Sequence, residues 1–143
     1  MPLDLTALHD ALGALQKSLG YLSSDLARDA GLREQFRAAS IQGFEFTYEV
    51  AFKMLKRQLA AMSPSPNEVE QMTFMQLVRA GHDAGLVADV GRFQDYRSKR
   101  NIASHTYNHA KAEEIVSVLG EFTSDVKFLL TELERRNAGD GSD

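Results

Sequence analysis

The chain has no cysteine in 143 residues. That absence excludes a disulfide scaffold, a thiolate zinc site and a cysteine nucleophile together. Three prolines and ten glycines leave little room for the many turns of an all-β fold. No apolar stretch approaches the roughly 20 residues that a membrane-spanning helix needs. The start, Met1-Pro2-Leu3-Asp4, lacks the basic-then-apolar layout of a secretory signal. Phosphate-cradling glycine loops are missing, both the P-loop and G-x-G-x-x-G, as is the G-x-S-x-G elbow of a hydrolase. An ATP-fuelled or nucleotidyl-transferring activity in this chain itself is therefore not expected, and neither is a cofactor.

What is present fits one globular domain. Apolar residues make up 43% and charged residues 25%, a balance that can bury a core unaided at this length. The expectation is a soluble, cytoplasmic protein with no membrane association. A net charge of −4 argues against non-specific coating of nucleic acid. It leaves room for a local basic site, and Arg97, Lys99 and Arg100 form the densest such cluster before the C-terminal end. Arg135-Arg136 is denser, but it lies at a helix end, where cations favour the dipole.

Apolar periodicity predicts helices throughout. Leu5, Leu8, Leu12, Leu15, Leu19, Leu22 and Leu26 alternate at three and four, the seam of a long first helix packed at a shallow angle, with Gly31 suited to the break after it. A second long helix is expected over about residues 32–62, with Ile41, Phe44, Tyr48, Phe52, Leu55 and Leu59 inward. Pro64 and Pro66 stop it. A shorter helix follows over 73–84 and ends at Gly85. A fourth spans about 87–104 with Val90, Phe93 and Tyr96 inward. Asn108 caps the last, whose inward set is Ala112, Ile115, Leu119, Phe122, Val126, Leu129 and Leu133. The expected fold class is all-α, an up-and-down bundle of four principal helices plus a short extra helix. One domain over 1–136 and a Gly- and Asp-rich disordered tail over 137–143 complete the reading.

Chemistry concentrates in Arg100-Asn101-Ile102-Ala103-Ser104-His105-Thr106-Tyr107. Arg holds phosphate through a two-pronged set of donors, His moves a proton near neutral pH, and Tyr offers a modifiable hydroxyl. Arg100 continues the inward spacing of Phe93 and Tyr96, where an unpartnered charge is costly. Glu45 and Glu49, four apart on the second helix, are available as ion-pair support. The pattern leaves a structural ion pair, a side chain snorkelling to water and a ligand role all open. Five positions put Arg100 and His105 about 140° apart on a straight helix, so one helix does not aim both at one phosphate. Either the helix ends near Ser104, or a second copy completes the site. Asn101 shares a face with His105 and can orient the ring. His105 and His109 have zinc-like spacing, but Asn108 starts a new helix between them and no carboxylate completes a site. No metal is expected.

These residues resemble the R-x4-H-x-Y signature of the HEPN superfamily. In particular, the chain is similar to the nucleotidyltransferase substrate-binding proteins that include HepT-like toxins. Phe44-Glu45-Phe46-Thr47-Tyr48-Glu49-Val50-Ala51-Phe52-Lys53 resembles the F-E-x-x-Y-E-x-x-W/F-K pattern of their second helix, with Phe52 where many relatives carry Trp. Ala112-Glu113-Glu114-Ile115 also looks family-like. The resemblance implies a homodimer that joins two R-x4-H motifs into a metal-independent endoribonuclease site. His105 would assist attack by the ribose 2′-hydroxyl, Arg100 would hold the scissile phosphate, and Asn101 would support them. It further implies a toxin–antitoxin pair with RNA as substrate, in which a partner minimal nucleotidyltransferase adds AMP to Tyr107. Two other readings stand beside it. One is a non-catalytic nucleotide- or substrate-binding subunit of a two-component nucleotidyltransferase. The other is a helical dimerisation module in which Arg100 is a structural ion pair.

Overall fold

A computed structural model describes residues 2–103 and 108–138. Among them the chain forms an all-α bundle: α1 (Thr6–Leu22), a 3₁₀ turn (Asp25–Arg28), α2 (Ala30–Met62), α3 (Pro66–Glu70), α4 (Phe74–Asp83), α5 (Val90–Ala103), α6 (His109–Val116) and α7 (Leu119–Ala138). No described helix is long and apolar enough to cross a membrane.

The apolar stripes read from the sequence meet in one core. Leu8, Leu12 and Leu15 of α1, Phe44 and Leu55 of α2, and Phe122, Leu129 and Leu133 of α7 are all buried. Its centre is aromatic. Phe122 meets Phe44 and Tyr96 edge-on, with ring centroids at 4.8 and 5.1 Å, the arrangement that ring quadrupoles favour.

Capping residues set the boundaries, and several differ from expectation. The first helix stops at Leu22 because Ser24 Oγ donates to Tyr21 O and draws the chain into a turn. Leu26 therefore leaves the seam and is exposed. Gly31 is not the break: Asp29 caps α2 by accepting from Leu32 N at 2.9 Å, and Gly31 lies in its first turn. Pro66 does more than end α2, since it occupies the first turn of α3, where its fixed φ and missing N–H suit helix initiation. Thr73 and Gln76 form a reciprocal capping box on α4. Gly85, at φ +81°, closes α4: Gly85 N donates to His82 O and Leu86 N to Gly81 O, the paired bonds of a left-handed helix terminus.

The expected single last helix is two. Asn108 caps α6 by accepting from Ala110 N and Lys111 N. The helix then breaks after Val116, where Ser117 Oγ donates to Glu114 O. The chain stays helical to Ala138, past the expected start of the tail at 137. Asn137 is tied down there: its side chain accepts from Leu3 N and donates to Gln58 Oε1 and Leu133 O. Residues 139–143 lie outside the described residues.

Candidate functional site

Arg100 occupies the last turn of α5, where a cation complements the helix dipole. Packing of α5 against α2 turns its guanidinium toward two carboxylates. Nη2 donates to Glu49 Oε1 at 2.7 Å, and Nη1 lies 3.8 Å from Glu45 Oε2. Glu49 is 63% exposed and Arg100 28%, so the closer pair sits at the surface, within reach of an incoming anion. Arg100 Nε is buried and has no hydrogen-bond partner among the described residues.

Glu45 and Glu49 also line an open cleft of about 520 Å³ with Ala38, Ile41, Gln42 and Phe46. Phe46 is 49% exposed at its rim. Tyr48, on the same helix as Glu45 and Glu49, stacks on Phe74, and Arg97 lies over the Phe74 ring at 4.9 Å. Burial raises the Tyr48 phenol to about 12 even though Arg97 and Arg100 pull it the other way. Tyr48 is therefore neutral at physiological pH.

Asn101 is exposed on α5. His105 and Tyr107 lie outside the described residues, as do Ser104 and Thr106. The structure thus brings Arg100, Glu45 and Glu49 together. The meeting of Arg100 with His105 is outside the described residues. Among those residues no three His, Asp or Glu side chains converge in a way that would hold a metal.

Two further polar clusters escaped the sequence reading. Asp125 is buried on α7. Arg92 Nε and Nη2 each reach its carboxylate at 2.8 Å, and Tyr96 Oη donates to it as well. Burial, then the bond to Asp125, raises the Tyr96 phenol. That same carboxylate raises the Arg92 guanidinium. This network fixes α5, the helix that carries Arg100 in its last turn, to α7. Its signal was in the sequence: Asp125 falls three after Phe122 and four before Leu129, on the inward stripe, as Arg100 does on its own. The second cluster is Arg33, Arg37, His109 and Glu113, between α2 and the start of α6.

Known proteins are similar to this chain in sequence and in fold. The family described as "Nucleotidyltransferase substrate binding protein like" matches residues 3–135. A protein of Haemophilus influenzae named "Probable ribonuclease HepT" is 37% identical over 103 residues, 72% of this chain and 70% of that protein. A solved H. influenzae structure, described as revealing the fold of a substrate binding domain of a nucleotidyltransferase, superposes with a TM-score of 0.87. It is 30% identical, over 92% of this chain and 99% of the other.

Proposed function

The chain belongs to the nucleotidyltransferase substrate binding protein-like family, and from that premise we propose that it is a metal-independent endoribonuclease working as a homodimer. It is the toxin of a toxin–antitoxin pair in the cytoplasm, silenced when a partner minimal nucleotidyltransferase adds AMP to Tyr107. The observation that carries this reading is Arg100. It is the first residue of the R-x4-H-x-Y run, it lies in the last turn of α5, and among the described residues its ion-pair partners are the half-buried Glu45 and the exposed Glu49. Similarity to a protein named a ribonuclease supports it.

Arg100 and His105 are the catalytic pair, with Asn101 supporting. His105 takes the proton of the ribose 2′-hydroxyl as its oxygen attacks the adjacent phosphorus. The bond to the 5′-oxygen breaks, that oxygen takes up a proton, and the products are a 2′,3′-cyclic phosphate and a 5′-hydroxyl. Arg100 leaves Glu49 for the phosphate, whose negative charge grows in the transition state and so binds the guanidinium more tightly than the ground state does. Two copies supply two such pairs, which answers the 140° divergence within one chain. AMP on Tyr107 adds negative charge and bulk beside the arginines, and so excludes RNA.

The similar structure described as a substrate binding domain favours a second reading: a non-catalytic subunit that binds nucleotide or substrate for the transferase. Co-expression with the transferase, followed by mass measurement, separates the two. The toxin reading expects AMP additions on Tyr107 and loss of RNA cleavage with them. An unmodified Tyr107, with nucleotide bound and no RNA turned over, would overturn it.

A further inference from the structure

The cluster of Arg33, Arg37, His109 and Glu113 lies outside the site described above. Arg33 reaches Glu113 through both Nη1 and Nη2, at 3.0 and 3.3 Å. Arg37 Nη1 donates to Glu113 Oε1 at 3.2 Å and to His109 Nδ1 at 2.6 Å. Two guanidiniums thus share one carboxylate, and the side chain of Arg37 is only 11% exposed. An arginine N–H can only donate, so His109 Nδ1 accepts, and the neutral ring carries its proton on Nε2 as a further donor. His109 is the first residue of α6, where the helix dipole favours an anion. Arg33, Arg37 and His109 border a cleft of about 260 Å³ with Ala30 and Glu34. Glu34 is the acidic residue of that lining, and Glu113 pairs with both arginines.

Arg33 and Arg37 stand on a single ridge of α2 with Ile41, Glu45 and Glu49, each four residues from the next. At about 1.5 Å per residue, Arg37 is about 12–18 Å along the helix from the carboxylates that hold Arg100. The open cleft of Ile41, Gln42 and Phe46 lies between them. The ridge winds about 40° around α2 at each four-residue step, so a single nucleic-acid strand that follows it around the helix, rather than straight along it, would meet both ends.

We infer that Arg33, Arg37 and His109 form a subsite for a backbone phosphate of RNA, occupied by Glu113 until that phosphate arrives. This rests on the ribonuclease reading above and extends it from a cleavage point to a track along α2. Bidentate arginine contacts suit a phosphate as well as a carboxylate, so Glu113 stands where the ligand's oxygens would. An exchange of one anion for another leaves neither guanidinium unpaired.

The test uses full-length protein carrying His105→Ala, which keeps RNA intact, and a fluorescent single-stranded RNA titrated at several salt concentrations. Arg37→Gln is expected to weaken binding about tenfold and to flatten the salt dependence by about 0.7 per lost phosphate contact. Glu113→Gln removes the competing anion and is expected to tighten binding a few-fold. A merely structural cluster gives no such opposition of sign, because both variants then lower the melting temperature and neither strengthens binding. RNA binding with unchanged affinity and salt slope in Arg37→Gln overturns the subsite alone. Loss of transferase association with RNA binding unaffected overturns it too, in favour of a protein interface. If the His105→Ala parent binds no RNA, the ribonuclease reading fails together with it.

Discussion

Replacing Arg100 by alanine separates a functional arginine from a structural one, because the structure sets a low ceiling on its stabilising role. Its closest partner, Glu49, is 63% exposed, and Glu45 is 3.8 Å away. Exposed ion pairs contribute about 0.2–1 kcal/mol each. Lost packing of the partly buried stem brings the expected cost to about 1–2 kcal/mol. For a domain of this size that is roughly 3–8 °C in melting temperature, measured by circular dichroism at fixed protein concentration, since the proposed dimer would add to apparent stability. Loss of a single donor to a developing anion typically lowers a rate by about 10²–10³-fold. Arg100→Ala is therefore expected to stay folded and dimeric while RNA cleavage falls by at least that factor. A drop of more than about 4 kcal/mol with unfolding, or cleavage at the parental rate, would refute the reasoning and leave Arg100 a structural residue.

The remaining expectations follow from the same geometry. Asp125→Ala strands the buried Tyr96 hydroxyl and leaves Arg92, itself 40% exposed, with only its longer pair to Asp89 among the described residues, so a loss of about 3 kcal/mol is expected, about 10 °C by thermal melting. An unchanged melting temperature would remove this network as the anchor of α5. Gly85→Ala forces a Cβ onto a φ of +81° and to 3.0 Å from Arg136 Nη2; a loss of about 1–2 kcal/mol is expected by urea unfolding. Tyr48 is neutral in the fold up to about 12, whereas an unfolded tyrosine ionises near 10. Its contribution is thus complete below about pH 10 and disappears as the pH rises toward 12. Tyr48→Phe should accordingly flatten the alkaline loss of stability over that interval, and a parallel pH profile would contradict the burial.

Much of the fold was legible because apolar residues recur at helical spacing, and burial enforces that spacing: Leu8, Leu12 and Leu15, or Phe122, Val126 and Leu129, could face only one way. What the pattern missed was local polar competition. Periodicity carried the first helix through Leu26, yet the hydroxyl of Ser24 ended it, and Ser117 split a stripe that looked continuous. Pro66 read only as a stop, although the same ring geometry starts α3. At the site, the inward register of Arg100 and the four-residue spacing of Glu45 and Glu49 named residues that the structure brings together. Asp125 carries an equal signal, a carboxylate in the inward register between Phe122 and Leu129. Arg37 and Glu113 carried none, because neither residue's own helix shows that the other will lie across from it.

The most direct measurement is cleavage of a labelled RNA by purified protein in EDTA, with Tyr107 first confirmed by mass to be unmodified. The expected result is fragments ending in 2′,3′-cyclic phosphate from the wild type and intact RNA from a dimeric His105→Ala. Intact RNA with the wild type, cleavage only on adding a divalent metal, or equal cleavage by His105→Ala would contradict a metal-independent ribonuclease built on Arg100 and His105.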